Sequence, residues 1–236
     1  MKIIVVGHTG FVGRAVYKHL RMKRFVIGGL NSNSSYEDRA CDILINCAGN
    51  AKKFLASKNY IEARSIEDGI LLNVKKINAK KVIHISSMDA ETMSNYGLLK
   101  KYAERIISNF IPDFCILRLS GLIGEGLSKN VVFDLLNNNQ LYVKPNSTYN
   151  FINTSVVAEI IEYLISNWQA KEIINIAANK SISVREIAKI LNVRPQIRSD
   201  ATVEHCFSDS RKLQTFFKTN SSQYYTSEYV KTLRDE

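Results

Sequence analysis

One stretch constrains this chain more than any other: KIIVV at 2–6, then GHTGFVG at 7–13, with apolar side chains from Phe11 to Leu20 repeating at four. A short β-branched run bounded by glycine reads as a fully buried strand, and the spacing after it predicts a helix. Gly7, Gly10 and Gly13 then have a physical use. A glycine at the strand end allows a tight turn, a second lets the backbone approach a pyrophosphate, and a third lets the helix pack closely on the strand. The same three residues also suit a plain strand-to-helix corner that binds nothing. A strand before, a helix after and an alternating pattern downstream favour the dinucleotide reading.

That pattern continues. Strands are expected at 24–30 (RFVIGGL), 41–49 (CDILINCAG), 80–87 (KKVIHISS) and 113–120 (DFCILRLS), with helices over about 61–79 and from Tyr96 through YGLLKKYAERIISNF. Strand alternating with helix predicts an α/β fold with a Rossmann-like doubly wound parallel sheet. Only twelve residues, 31–42, join the second strand to the core of the third. That is the minimum for one parallel return and leaves no room for a further strand, so the sheet is expected to be shortened by one strand. After Ser120 come a glycine-rich loop (GLIGEG), a short helix (NVVFDLLNNN), a small strand pair (QLYVKPNSTYNFINT), an amphipathic helix (SVVAEIIEYLISNW) and a strand (EIINIAA). The segment SISVREIAKIL follows, with Ser183 and Glu186 spaced as a capping box. The expected organisation is a dinucleotide-binding domain over 1–120, with 151–178 returning to it. A small α/β substrate lobe over 121–236, not folding independently, completes it.

Composition narrows the partners. The 236 residues carry a net charge of +10, which favours anionic partners without separating nucleic acid from phosphorylated small molecules. The basic residues fall in scattered pairs such as Lys52-Lys53 and Lys100-Lys101 and not in one tail, so no nucleic-acid partner is expected. Four cysteines (Cys41, Cys47, Cys115, Cys206) show no metal-like spacing, and the histidines lack ligand-spaced companions; no metal is expected. No apolar stretch approaches the roughly 18 residues of a membrane span, and no signal peptide is read, so a cytoplasmic protein without a membrane partner is expected.

A second stretch carries chemistry: SSMDAETMSNYGLLKKYAE. Tyr96 and Lys100, four apart on an expected helix, share a face. An ammonium beside a phenol favours the phenolate, so Lys100 is expected to lower the Tyr96 pKa. Ser86 and Ser87 end the preceding strand at its carboxyl edge, where open α/β sheets place ligands. An isolated tyrosine and lysine at this spacing would be an ordinary surface pair; the upstream glycine turn and the serines at the strand tip set this one apart.

With GHTGFVG, NCAG (46–49), VIHISS (82–87), YGLLK (96–100), RLSGLIGEG (118–126), FINTSVVAEII (151–161), NIAANKSISVREIAKIL (175–191) and FSDSRKL (207–213) in this order, the chain resembles the extended short-chain dehydrogenases/reductases. It is most similar to their NAD-dependent epimerase/dehydratase group, which acts on nucleotide-linked sugars. The resemblance implies Ser87, Tyr96 and Lys100 as the catalytic trio. It implies a cofactor site from Gly7, Thr9, Gly10, Phe11, Val12 and Gly13, with Ala48 and Gly49 nearby. Helices such as 61–79 and 98–110 would pair two subunits as a homodimer.

Departures from the family pattern sharpen the expectation. Where the family carries an acidic residue after the second strand, this chain has Leu30-Asn31-Ser32. A 2′-phosphate is then not repelled, and Asn31, Ser32 or Arg39 (with Arg14 as a further candidate) would bind it. NADP is the expected cofactor, with NAD the alternative. Ser65 falls where the family's relay asparagine would align. Ser87 is followed by Met88-Asp89-Ala90 and not by the Asp-Glu pair of dehydratases. The resemblance thus implies reduction of a 4-keto nucleotide sugar, in deoxysugar or surface-polysaccharide synthesis. A nucleotide-sugar epimerase, or a non-catalytic dinucleotide-binding sensor or scaffold, are the alternatives.

Overall fold

The computed structural model describes residues 1–206 and 208–234. Its first elements are β1 (Lys2–Val6), α1 (Phe11–Met22), β2 (Val26–Leu30), β3 (Ala40–Asn46), α2 (Lys53–Lys58), α3 (Tyr60–Lys75), β4 (Asn78–Ser87), α4 (Asn95–Phe110) and β5 (Phe114–Leu119). One 3₁₀ turn, Met88–Glu91, links β4 to α4. Next come β6 (Gly121–Ile123), α5 (Val131–Leu136), β7 (Gln140–Val143), β8 (Thr148–Tyr149), β9 (Phe151–Asn153) and α6 (Thr154–Ser166). The chain continues through β10 (Glu172–Ile176), β11 (Ile182–Ser183), α7 (Val184–Leu191), β12 (Gln196–Thr202), α8 (Arg211–Phe216) and α9 (Ser222–Arg234). Two compact units result, one of Met1–Leu119 with Val157–Ile174, the other of Ser120–Val156 with Asn175 onward.

The first unit is built on a six-stranded sheet in the order β10-β5-β4-β3-β1-β2. β1 pairs in parallel with both β2 and β3, and β3 to β5 continue in parallel. β2 is therefore the edge, and residues 31–39 return to β3 without a helix or strand; the expected loss of one strand is what the topology shows. Alternate strand residues Ile4, Val6, Leu44, Val82 and Ile116 bury one face of the sheet. Leu71 and Val74 of α3 and Ala103 and Ile107 of α4 close over them. This period-two stripe against a helical stripe fixes where α3 and α4 meet the sheet.

Two expectations need correction. The helix expected over 61–79 is α3 alone, preceded by the separate short α2, with Asn59 between them accepting a hydrogen bond from the Glu62 amide; it stops at Lys75 because Asn78 and Ala79 already pair with Ala40 and Cys41. The segment 140–154 is not a strand pair. In the second unit β7 pairs with β12, β8 with β11 and β9 with β6, each partner distant in sequence. The capping box at Ser183 and Glu186 is present. All four cysteines are free thiols. No helix among the described residues is long and apolar enough to cross a membrane.

Candidate active site

The glycine turn is held by contacts only glycine permits. Gly7 lies at φ +77, and a Cβ there would come within 2.8 Å of the Ala48 amide nitrogen. A Cβ on Gly13 would be 2.1 Å from the Gly7 carbonyl oxygen. Gly10 differs: its Cβ would meet only the Gly7 oxygen, at 3.3 Å. Gly10 caps α1 without a side-chain hydrogen bond, and the first turn carries no acidic residue. Phe11 and Val12 are half-buried and Thr9 is exposed. Bare amides at a helix start with no competing carboxylate can hold a phosphate, so these residues fit a dinucleotide.

Ser87 ends β4, and Gly97 brings Tyr96 towards it. A Cβ on Gly97 would be 2.2 Å from the Asp89 carbonyl, so the first turn of α4 rests directly on the 3₁₀ turn. Ser94 caps that helix, accepting from the Gly97 amide at 3.0 Å. The Ser87 hydroxyl donates to Asp89 Oδ2 at 2.8 Å, and the same carboxylate oxygen holds Lys53 Nζ at 2.7 Å. Ser86, on the opposite face of β4, is turned away and donates to Glu104 at 2.6 Å.

Lys100 is where the structure departs most from expectation. Its ammonium lies 3.3 Å from each oxygen of Glu67, a fully buried side chain of α3. Glu67 Oε2 also accepts the Asn50 amide at 2.7 Å. The nitrogen atoms of Lys53 and Lys100 each stand 5.5 Å from the centre of the Tyr96 ring, and each brings its own carboxylate. The balance at the phenol therefore reverses. Burial, then Asp89 and Glu67, hold the Tyr96 pKa well above that of an ordinary tyrosine, while the Ser87 hydroxyl alone opposes them. The expected lowering by Lys100 is not found.

His84, beneath this pair on β4, is fully buried. Its Nδ1 is 3.0 Å from Asn46 Nδ2, while Asn46 Oδ1 accepts from the Ala48 backbone amide, so the imidazole hydrogen falls on Nε2, which has no partner among the described residues. Burial, aided by the Lys100 charge, pushes His84 down to about 3.

The remaining candidates separate. Asn31 and Ser32 follow β2 at the carboxyl edge, beside the glycine turn, since Leu30 pairs with Val6. Arg39 does not join them. It precedes Ala40 at the start of β3, seven residues before Asn46, which puts it about 20 Å away at the amino edge of the sheet. Glu37, two residues before it, pairs with Lys76 at the end of α3. Arg14 is exposed on α1. Ser65 is exposed, and Glu67 is the α3 residue that reaches Lys100. Glu67, Asp89 and Lys53 were missed by sequence reasoning. The available signal was a carboxylate within the buried stripe Ala63, Leu71 and Val74. Phe207 of the FSDSRKL stretch lies outside the described residues. Among the described residues no group of three or more His, Cys, Asp or Glu is placed to hold a metal.

Neither a protein-family model nor a curated protein matches the chain. Solved structures do. The UDP-glucose 4-epimerase of Thermotoga maritima with UDP-glucose superposes with a TM-score of 0.79 at 16% identity, over 100% of this chain and 99% of that one. The UDP-glucuronic acid 4-epimerase of Bacillus cereus, with UDP-glucuronic acid and NAD, gives 0.77 at 18%, over 99% and 100%. The dTDP-4-dehydrorhamnose reductase of Bacillus anthracis with NADP gives 0.76 at 16%, over 98% and 99%. The likeness shows that the chain has the Rossmann-like α/β fold of these proteins.

Proposed function

We propose that this protein is an NADP-dependent reductase of a 4-keto nucleotide sugar, with Ser87, Tyr96 and Lys100 as its catalytic residues. One observation carries the direction of the reaction: Tyr96 is a buried phenol beside the Lys53–Asp89 and Lys100–Glu67 ion pairs, and burial first, then the two carboxylates, favour its protonated form. A phenol of that kind carries its proton at neutral pH and is available to give it to a developing alkoxide, a far stronger base than the ketone it forms from. An epimerase would open its cycle by asking the same group to remove a hydroxyl proton. When bound, a dihydronicotinamide would supply hydride to the keto carbon. Tyr96 gives its proton to the carbonyl oxygen as charge develops there, Ser87 steadies that oxygen by hydrogen bonding, and Lys100 holds the nicotinamide ribose.

The cofactor preference rests on the turn after β2. Asn31 Oδ1 accepts from the Asn33 amide at 3.0 Å and the Ser34 hydroxyl at 3.2 Å, which directs the side-chain carbonyl into the turn. Its amide hydrogens, with the exposed Ser32 hydroxyl, are then donors for a 2′-phosphate, and no carboxylate stands beside them until Glu37. The Bacillus anthracis reductase holds NADP and the Bacillus cereus UDP-glucuronic acid epimerase holds NAD. The second unit is the proposed substrate lobe.

The experiment is oxidation of NADPH, followed at 340 nm, with a panel of dTDP- and UDP-linked 4-keto sugars. Turnover is expected with NADPH in preference to NADH. Tyr96→Phe is expected to reduce it by about 10²- to 10⁴-fold while NADPH affinity stays within about twofold. Sugar conversion without net cofactor oxidation, by protein that purifies already carrying nicotinamide, would make it an epimerase. Binding without turnover would make it a sensor or scaffold.

A further inference from the structure

Glu67 is not explained by packing. It shares the buried face of α3 with Ala63, Leu71 and Val74, and such a face is ordinarily apolar. A carboxylate removed from water needs a cation and hydrogen bonds to be tolerated. It has both: the Lys100 ammonium at 3.3 Å from each oxygen, and the Asn50 amide at 2.7 Å. Gly49 supplies the space, since a Cβ there would lie 2.9 Å from Lys100 Nζ and 3.4 Å from Glu67 Oε1. A glycine, a buried carboxylate and a backbone amide thus converge on one ammonium, one helical turn from Tyr96. A lysine that only packed against the phenol would require none of them.

We propose that Glu67 is a positioning residue that fixes the Lys100 ammonium beside Gly49 and cancels its field at the Tyr96 hydroxyl, so that Tyr96 acts as a proton donor and not as a base. This deepens the reductase reading above and rests on it for its catalytic meaning. The groups around Tyr96 balance: Lys53 from α2, Glu67 from α3, Ser87 and Asp89 from the end of β4 and its turn, and Lys100 from α4. Lys53 is joined to Asp89 and Lys100 to Glu67, so two cations meet two carboxylates. Lys100 is faced by Glu67, Tyr96 and the neutral His84. Arg64 and Asp68, also on α3, are occupied with each other and with Tyr102. Neutralising Glu67 alone leaves the Lys100 charge unopposed next to the phenol, and the proton affinity of Tyr96 must fall.

The test is a pH titration of protein carrying tyrosine labelled with ¹³C at Cζ, with no dinucleotide added, the Tyr96 signal being assigned by its loss in Y96F. In the wild type, Tyr96 is expected to titrate above free tyrosine measured in the same buffer. In E67Q, which keeps an acceptor for the Asn50 amide, its midpoint should fall by at least about one pH unit, a tenfold loss of proton affinity. Removing both charges in E67Q/K100Q should return it to within about half a unit of the wild type. The high-pH limb of NADPH-dependent turnover should shift down with it in E67Q and partly recover in E67D. An unchanged Tyr96 midpoint in E67Q overturns the proposal. So does a wild-type Tyr96 that titrates below free tyrosine, a measurement that stands even if E67Q does not fold. The titration uses neither sugar nor cofactor, so it is decided separately from the reductase reading.

Discussion

Two buried ionic groups lie one turn apart on α4, and the fold treats them in opposite ways. Glu104 is fully served. One oxygen accepts from Ser86 at 2.6 Å and from Arg118 Nε at 2.8 Å, the other from Arg118 Nη2 at 2.7 Å, and Arg118 also reaches Glu91 at 2.9 Å. Lys100 has two longer contacts of 3.3 Å to one carboxylate, stands above a histidine with an orphaned Nε2, and adjoins a phenol with a raised proton affinity. Both groups are equally buried, so burial does not distinguish them. Completeness does. A network in which every polar atom has a partner holds a structure together, whereas one with an unanswered donor and a displaced titration is the kind that proton transfer, as proposed above, would use.

The contrast can be broken most forcefully at the complete network. Arg118→Met strands Glu104 without its cation and should cost about 3–5 kcal/mol in chemical denaturation, while the ¹³C midpoint of Tyr96 stays put. A shift of that midpoint would join the two networks into one. Acid should act on the other. His84 titrates near 3 when folded and near 6.5 when unfolded, so above pH 6.5 neither state takes up the proton. Below it the unfolded chain binds a proton that the folded protein refuses, and stability should fall by about 2–3 kcal/mol between pH 6.5 and 4.5. His84→Gln, which keeps an acceptor for Asn46, should flatten that slope in urea melts.

Gly49→Ala probes the clamp more gently. The new methyl would stand 2.9 Å from the buried Lys100 ammonium and push it off Glu67, so stability should fall by about 1–3 kcal/mol. NADPH affinity should also drop about tenfold on fluorescence titration, because the ammonium is displaced. The smallest effect belongs to Ser183→Ala, which removes the α7 capping box for about 1 kcal/mol and leaves turnover per folded molecule unaltered.

What was legible in the sequence was local. Gly7, Gly10 and Gly13 mark the turn by spacing, Tyr96 and Lys100 mark one face of α4, and a count of twelve residues exposes the absent strand. What was not legible depends on residues far apart in the chain. Glu67 and Lys100 are 33 positions apart and meet only because α3 and α4 cover the same sheet face. Arg39 misled because nearness along the chain was read as nearness to the carboxyl edge, although the return to β3 carries it to the other end. The strands of 140–153 pair with β6, β11 and β12, and segments of two to four residues carry no periodicity that would name such partners.

The shortened sheet has a consequence for handling the protein. β2 turns one row of amides and carbonyls to the outside, a template on which another chain could add a strand. Gly28 and Gly29 keep that row poor in β-forming side chains, but for different reasons. Gly29 cannot change, since a Cβ would lie 2.6 Å from the His8 ring, whereas one on Gly28 would have Ile4 as its nearest neighbour, at 3.8 Å. A Cβ is therefore tolerated at 28, and Gly28→Val would stiffen the edge and make it stickier. The packing does not demand a glycine at 28, so the low stickiness expected of this edge would depend on that choice of residue.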